Sequence, residues 1–283
     1  MEVNSGDKEI IVIYHADCSD GFGAAFSAWK KFGNSAQYYA AFHKTTPPDI
    51  KNKDVYIFDY SYQESDIKKI KENARSLTMI DHHISSKEII SLADKSIFDN
   101  SHSASVLVWK YFFPEKEVPL LLRYVEDNDL WKFGLPHSKE LNLSIDKKEF
   151  DFKIWDEMLS DFEDDFKRDK YEREGAVLLE KKNREVREII KDAKKINFEG
   201  HDTLIVNSER YTSEVGNALA IKLPPMGIIW SVKNDKIAVS LRGDGNIDLS
   251  KIAEKYGGGG HKSAAGFVVG NEDELRRIFK LDR

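Results

Sequence analysis

Acidic residues and histidines follow three apolar segments in the N-terminal part of the 283-residue chain. Carboxylate oxygens and imidazole nitrogens are ligands that hard divalent cations such as Mn²⁺ accept. Metal ligands often lie where a buried strand passes into a loop, because the strand fixes the geometry and the loop leaves room for substrate. The residues at these positions are His15, Asp17 and Asp20, then Asp59, and then Asp81, His82 and His83. Chance placement of the whole set is improbable, so the pattern predicts a metal site.

The first of these motifs also has ordinary structural explanations. It could be a polar loop in which Asp20 only caps a helix, as aspartates often do. The single cysteine of the chain, Cys18, lies inside it and could be a small buried filler or a soft metal ligand.

Two further segments could contribute to the same site. Residues 126–129 include three acidic residues, and we expect Asp127 to be a metal ligand, with Asp129 as the alternative. An acidic turn is the structural explanation for that segment. His102 precedes a predicted helix and could contact a phosphate or belong to an ordinary helix N-terminus.

A glycine-rich segment near the C-terminus predicts an anion site. Glycines expose backbone N–H groups and tolerate positive φ, so such a loop can wrap an anion. Histidine and lysine beside it can donate charge-assisted hydrogen bonds. The segment is not a nucleotide P-loop, since a histidine stands where that motif requires glycine. The predicted phosphate-binding residues are Gly258, Gly259, Gly260, His261 and Lys262, and Arg242 could reach the same anion.

The elements that must position these residues follow from the apolar patterns. Residues 9–145 alternate strand-like and helical segments, which is typical of a parallel sheet flanked by helices. Residues 150–195 have apolar residues at three- and four-residue spacing, including Trp155 and Phe166, and predict long amphipathic helices. Three short strands and a final helix follow. We therefore predict an α/β fold with an N-terminal parallel-sheet domain (1–148), a helical linker (149–198) and a smaller C-terminal α/β domain (199–283).

Composition narrows the classes of function. Hydrophobic residues make up 41% of the chain, which is ample for packed cores, and no apolar run approaches the roughly 20 residues of a membrane span. The N-terminus lacks a signal-peptide pattern and there is only one cysteine, so we expect a cytoplasmic protein with no membrane partner. The net charge of −6 disfavours a long duplex and favours a small anionic ligand or a short single-stranded oligonucleotide.

Taken in order, these motifs resemble the DHH phosphoesterase superfamily with its C-terminal DHH-associated substrate-binding domain. That superfamily includes RecJ-type exonucleases, nanoRNases, phosphatases of 3′-phosphoadenosine 5′-phosphate, cyclic-dinucleotide phosphodiesterases, exopolyphosphatases and family II pyrophosphatases. The resemblance implies that Asp59 bridges two Mn²⁺ ions, for which Mg²⁺ or Co²⁺ could substitute. It implies that His15 and Asp17 bind one ion and that Asp20, His82 and Asp127 bind the other. Asp81 would orient His82, and His83 would face the substrate.

The first motif departs from the family pattern at one point. The family usually separates its two metal carboxylates by a single residue, whereas Cys18 and Ser19 separate Asp17 from Asp20 here. Asp17 is therefore the least secure of the implied ligands, and Cys18 or Ser19 could lie beside the first ion.

The implied chemistry is hydrolysis of a phosphate ester. Two cations roughly 3.5–4 Å apart lower the pKa of a bridging water, which attacks phosphorus in line. His83 would stabilise or protonate the leaving oxygen. We expect a manganese-dependent phosphodiesterase acting on short oligonucleotides or small nucleotides. An exopolyphosphatase or phosphomonoesterase, and a non-catalytic nucleotide-binding protein, are the alternatives; the sequence leaves monomer and homodimer open.

Overall fold

The computed structural model describes residues 8–42, 45–233 and 235–280. The chain forms two compact units, Met1–Leu179 and Glu180–Arg283, each built around one sheet. The predicted α/β class with an N-terminal parallel sheet is confirmed. Among the described residues, no helix combines the length and the apolar character that crossing a bilayer requires.

The first unit contains five strands and the helices that cover them, and the last of these helices continues beyond Leu179 into the second unit. The elements are β1 (Ile10–His15), α1 (Ser19–Phe32), β2 (Ala36–Ala41), β3 (Asp54–Phe58), α2 (Glu64–Asn73), β4 (Ser76–Asp81), α3 (Lys87–Ile90), β5 (Lys95–Phe98), α4 (Ala104–Phe112), α5 (Leu120–Asp129), α6 (Ser138–Asp146), α7 (Phe152–Phe162) and α8 (Asp165–Ile189). All strands are parallel, in the order β2-β1-β3-β4-β5.

The central strands are apolar on both faces because helices cover both faces. Ile11 and Ile13 of β1 pack with Ile67 of α2 on one face. Val12, between them, packs with Ala28 of α1 on the other face, together with residues of α4. The sheet is therefore the middle layer of three, and its acidic residues and histidines lie at strand ends.

The segment of residues 150–195, predicted to form long amphipathic helices, contains α7 and α8. Asp151 caps α7 by accepting the N–H groups of Lys153 and Ile154. Asp164 accepts N–H groups at the start of α8, so a second helix begins there. The regular spacing of buried apolar residues in α7 does not continue into it. Trp155 is fully buried in the first unit, whereas Phe166 is 73% exposed, so its predicted place on an apolar face is wrong.

The second unit contains a mixed sheet. Its elements, beyond the end of α8, are β6 (Lys194–Phe198), β7 (His201–Asn207), α9 (Thr212–Lys222), β8 (Met226–Lys233), β9 (Lys236–Gly243), α10 (Leu249–Glu254), β10 (Gly259–His261), β11 (Ala264–Val269) and α11 (Glu272–Phe279). The strand order is β10-β11-β9-β8-β7-β6, and only β7 and β8 are parallel neighbours. Helices α10 and α11 pack on one face and α9 on the other.

Candidate functional site

The parallel sheet of the first unit brings three of the sequence motifs to one edge. Strands β1, β3 and β4 are neighbours, and their carboxyl ends lie side by side. His15 is the last residue of β1, Asp59 directly follows β3, and Asp81 is the last residue of β4. This edge is where α/β sheets commonly bind ligands.

Asp59 lies at the centre of the cluster and is only 4% exposed. Its Oδ2 is 3.4 Å from Nδ1 of His15, and its Oδ1 is 3.4 Å from Nε2 of His82. The same Oδ1 is 3.5 Å from Nδ1 of His83. One carboxylate therefore faces imidazoles from both neighbouring strands.

Two more carboxylates approach His82 from helices. Its Nε2 is 3.7 Å from Oδ2 of Asp20 in α1 and 3.5 Å from Oδ2 of Asp129 at the end of α5. Asp20 is buried, and its two oxygens accept the N–H groups of Ala104 and Ser105 at 2.8 and 2.9 Å. Asp20 therefore stabilises the start of α4, a helix distant in sequence from its own motif, while also belonging to the cluster.

Glycines allow the helix that carries Asp20 to approach so closely. A Cβ on Gly21 would lie 2.3 Å from the carbonyl oxygen of His15. A Cβ on Gly23 would lie 2.8 Å from Cβ of Ser105 in α4. Larger residues at these positions would push α1 away from both β1 and α4.

The donor atoms fall into three overlapping groups, each small enough to surround one cation. Within each group, one ligand atom per residue lies within 4.8 Å of all the others. Asp59 and His82 each belong to two groups. The groups are Asp59, Asp81, His82 and His83; His15, Cys18 and Asp59; and Asp20, His82 and Asp129.

Three buried atoms of this cluster have no hydrogen-bond partner among the described residues: Nδ1 of His15, Oδ1 of Asp59 and Nε2 of His82. A buried polar atom without a partner is costly, and most such atoms in folded proteins are satisfied. Bound cations would satisfy all three, because carboxylate oxygens and imidazole nitrogens are suitable donors. The residues present therefore fit a divalent metal centre.

The electrostatics of the cluster agree with this fit. Burial and the negative charge of Asp59 raise the pKa of Asp20, and burial and the charge of Asp20 raise the pKa of Asp129 to about 7. Burial acts to lower the pKa of His82, but Asp59, Asp20 and Asp129 outweigh it and raise the pKa to about 9. The protein thus concentrates carboxylates where only protonation or a cation can balance them.

Asp81 orients a different histidine from the one the resemblance implied. Its Oδ1 accepts the backbone N–H groups of His82 and His83 and lies 2.8 Å from Nδ1 of His83. The side chain of His83 is therefore the one held by Asp81, and it is 46% exposed. The hydrogen bond to Asp81 raises the pKa of His83, which favours its protonated form.

The structure does not bring Asp127 to the cluster. Its carboxylate accepts the N–H groups of Gly134 at 2.9 Å and Leu135 at 3.2 Å, so it holds the loop that follows α5. Asp129, the alternative in the sequence, supplies the carboxylate near His82. Residues two positions apart on a helix point in different directions, so only one of the two can face the cluster.

Asp17 and His102 also lie outside the cluster. Asp17 is exposed, has a φ of +53°, and joins none of the donor groups found among the described residues. Nδ1 of His102 is 2.9 Å from Oε2 of Glu126, and its Nε2 is 2.9 Å from Nζ of Lys110. His102 thus sits in a separate polar contact.

The glycine-rich segment of the second unit is a β-hairpin and not an open loop. Residues 259–261 form β10, an edge strand that pairs with β11. The N–H of Gly258 donates to the carbonyl of Ala253 and is therefore not free for an anion. A Cβ on Gly258 would lie 2.1 Å from the carbonyl oxygen of Gly266, so this glycine is required for packing against β11.

The hairpin places His261 and Arg242 on one face of the sheet. His261 pairs with Ala264 of β11, and Ala264 pairs with Arg242 of β9. Residues paired directly across neighbouring strands point to the same face, and two strand spacings amount to roughly 10 Å. Lys262 follows at the exposed hairpin tip.

Arg242 is held in place by its neighbours. Its Nη2 donates to Oγ of Ser213 at 3.1 Å, and its Nη1 donates to the carbonyl of Leu241 at 3.0 Å. A Cβ on Gly216 would lie 2.6 Å from Cγ of Arg242, so the glycine makes room for this side chain. A fixed guanidinium on the face shared with His261 is suited to a phosphate group.

Comparison with known proteins supports a common ancestry over most of the chain. Residues 212–281 match the DHHA1 domain. An uncharacterized protein, R106, from Acanthamoeba polyphaga mimivirus is 29% identical, over 93% of this chain and 68% of that protein. Oligoribonuclease NrnB from Bacillus subtilis is 28% identical, over 80% of this chain and 61% of that enzyme.

Solved structures share the fold at low sequence identity. The pGpG-specific phosphodiesterase PggH from Vibrio cholerae has a TM-score of 0.55 and 17% identity, covering 95% of this chain and 96% of its own. Exonuclease RecJ bound to manganese has a TM-score of 0.52 and 12% identity, covering 95% of this chain and 87% of its own.

Proposed function

We propose that this chain, which belongs to the DHH-family phosphoesterases and is a phosphoric ester hydrolase, cleaves phosphodiester bonds in short oligonucleotides or small nucleotides. The observation that carries this proposal is the set of buried donor atoms around Asp59 that have no hydrogen-bond partner within the described part of the chain. The names of two similar proteins, an oligoribonuclease and a pGpG-specific phosphodiesterase, support the substrate class.

The metal centre in this proposal holds two divalent cations, with Mn²⁺ as the first choice. Asp59 would be shared, with His15 on one side and Asp20, His82 and Asp129 on the other. When bound, the cations would supply positive charge for the attacked phosphate and a water of lowered pKa. The similarity to a manganese-bound exonuclease fold supports this choice of ion.

His83 acts on the leaving group in this proposal. Because Asp81 accepts a proton-bearing Nδ1, the Nε2 of a protonated His83 can donate its proton to the departing oxygen. The half-exposed position of His83 leaves it accessible to a substrate at the edge of the cluster. Asp81 is a positioning residue because it acts through His83.

An exposed aromatic loop next to Asp129 favours a substrate that carries bases. Trp131 and Phe133 lie on this loop with ring centroids 4.8 Å apart, and Trp131 is 45% exposed. Both have positive φ, at 55° and 48°, which bulky residues rarely adopt. The carbonyl of Asp127 accepts the N–H groups of Lys132 and Phe133, and its carboxylate holds the residues beyond. Strain maintained in this way is typical of functional loops, and exposed aromatic rings stack on nucleobases.

We expect Trp131→Ala to weaken turnover of dinucleotides much more than any residual turnover of polyphosphate, which carries no base. Loss of one stacking contact should cost roughly 1–3 kcal/mol, or about 5- to 150-fold in kcat/KM. Trp131→Phe should retain most of the activity, and Phe166→Ala, which removes an exposed ring on α8, is the matched control. Equal losses on both substrates would show that Trp131 serves the metal centre and not a base.

The residues His261 and Arg242 are proposed to bind a phosphate of the substrate without binding metal. Their face of the second unit provides cationic side chains, whereas the metal donors lie in the first unit. We expect His261→Ala and Arg242→Ala each to reduce kcat/KM for oligonucleotides roughly 10- to 100-fold, the effect of losing a charge-assisted hydrogen bond of about 1.5–3 kcal/mol.

The controls for this prediction lie in the same unit. His201→Ala and Arg277→Ala remove the same side-chain types elsewhere, since Arg277 lies on α11, which packs on the opposite face of the sheet, and pairs with Glu274. A nitrophenyl phosphate diester should lose much less than an oligonucleotide does, and Mn²⁺ stoichiometry should not change. Loss of a metal ion in His261→Ala would contradict this division of roles.

A substrate panel tests the proposed function as a whole. It would contain 5′-labelled short RNA, short DNA, a dinucleotide of the pApA type, 3′-phosphoadenosine 5′-phosphate and polyphosphate, each with a Mn²⁺ titration. We expect base-dependent, metal-dependent turnover that is fastest on the shortest diesters. Turnover of polyphosphate alone would replace the proposal with an exopolyphosphatase, and binding without turnover would replace it with a nucleotide-binding protein.

A further inference from the structure

Cys18 lies in the turn between β1 and α1, at the same sheet edge as the carboxylates. It is half-buried, and its carbonyl oxygen accepts the N–H of Phe22, which fixes it as the residue preceding α1. Its Sγ, a ligand atom of His15 and a ligand atom of Asp59 lie within 4.8 Å of one another. The thiol thus faces titratable groups and not an apolar core.

An independent observation indicates a ligand at this position. Nδ1 of His15 is buried without a hydrogen-bond partner among the described residues, and it lies 3.4 Å from Oδ2 of Asp59, whose side chain is only 1% exposed. Bonds of roughly 2.0–2.3 Å to sulfur, nitrogen and oxygen would allow one cation to reach all three residues.

The carboxylate expected beside His15 is not there. Asp17 is exposed, and its backbone is in the left-handed region. The next residue, Cys18, is the one that lies near His15. The resemblance implied that a carboxylate oxygen of Asp17 lies beside His15. Because two residues and not one separate Asp17 from Asp20, the sulfur of Cys18 lies there instead.

We propose that Cys18 binds, as a thiolate, the cation held by His15 and Asp59, and that this position prefers a softer cation than Mn²⁺, such as Zn²⁺ or Co²⁺. Thiolates favour softer cations, whereas a position formed by Asp20, Asp129 and His82 suits harder ones. This proposal rests on the two-metal centre of the proposed function. It differs in that one metal position prefers a softer cation and the other a harder one.

Coordination of Cys18 changes no oxidation state. The S–H bond breaks, a bond between sulfur and the cation forms, and the proton passes to solvent. A bound cation deprotonates a coordinating thiol, so the neutral thiol of the metal-free protein is no obstacle.

Titration with Co²⁺ tests the inference directly, because a thiolate bound to Co²⁺ produces charge-transfer absorption in the near ultraviolet. Cys18 is the only cysteine in the chain, so the band has one possible source in the protein. We expect the band in the wild type and in Asp17→Asn, and its absence in Cys18→Ser and Cys18→Asp. Cys18→Asp should also bind Zn²⁺ at least roughly tenfold more weakly, a loss that even outer-shell substitutions can cause.

The outcomes separate this inference from the proposed function. Co²⁺ bound to the wild type without the band, or a band that persists in Cys18→Asp, would overturn the role of Cys18. If the wild type shows the band but hydrolyses none of the substrates in the panel, the proposed function is wrong and the role of Cys18 still holds. If Cys18→Ser does not fold, alkylation of native wild-type Cys18 should be slowed by Zn²⁺, and equal rates with and without Zn²⁺ would overturn the inference.

Discussion

We expect Asp59→Asn to abolish hydrolysis and to prevent the binding of two metal ions. Asp59 is the carboxylate that two donor groups share, and its Oδ1 and Oδ2 face histidines on opposite sides. An amide offers one neutral oxygen in place of two charged ones, so one cation loses its ligand, the other keeps only a weaker one, and their mutual repulsion is less compensated. We expect kcat/KM to fall at least about a thousandfold, or about 4 kcal/mol. Steady-state kinetics over a wide Mn²⁺ range would measure it.

The fold should survive this substitution. The backbone N–H of Asp59 donates to the carbonyl of Ile80, and asparagine keeps that bond. The matched control is Asp156→Asn, which removes a surface carboxylate paired with Lys30. Circular dichroism should be unchanged in both variants. An Asp59→Asn protein that keeps wild-type turnover at saturating Mn²⁺ would refute the central place of this carboxylate.

His83→Ala should lose turnover without losing metal. General acid catalysis contributes roughly 100- to 10,000-fold, so we expect kcat for a dinucleotide to fall within that range. A ribose alkoxide is a poor leaving group and needs the proton from His83, whereas a nitrophenolate leaves without it. The effect should therefore be small on a nitrophenyl phosphate diester. Parallel kinetics on the two substrates measure this difference.

Two variants sharpen this prediction. His137→Ala removes another exposed histidine, which pairs with Glu172, and should have no effect on either substrate. Asp81→Asn should lower the pH at which activity on the dinucleotide is lost, because Asp81 favours the protonated form of His83. If His83→Ala reduces turnover of both substrates equally, His83 is not a leaving-group acid.

The central strands could be predicted from sequence, but the edge strands could not. Strands β1, β3 and β4 are apolar on both faces and end in charged residues, which is a strong pattern. Strands β2 and β5 lie at the edges of the sheet and contain exposed residues, so their sequences do not differ clearly from loops. The spacing of apolar residues in a sequence indicates which side chains are buried, and the side chains of edge strands are only partly buried.

The site residues at strand ends could be predicted from sequence, whereas the site residue at the end of a helix could not. His15, Asp59 and His82 follow from strand ends, because parallel neighbours present those ends together. The choice between Asp127 and Asp129 depends on where α5 ends and how it is rotated, which no local pattern fixes.

The glycine-rich segment illustrates a different limit. Four consecutive glycines indicate close backbone approach, but the sequence does not say to what. In the structure the partner of Gly258 and Gly260 is β11, so these glycines shape a hairpin that presents His261. That the backbone N–H groups of these glycines donate to a phosphate stays a prediction. The N–H of Gly258 already donates to the carbonyl of Ala253.

Anomalous scattering from crystals grown with Mn²⁺ tests the central claim most directly. We expect two peaks per chain on either side of the Asp59 carboxylate, one beside His15 and the other among Asp20, His82 and Asp129. A single peak at saturating Mn²⁺, or two peaks that do not share Asp59, would contradict the dinuclear centre.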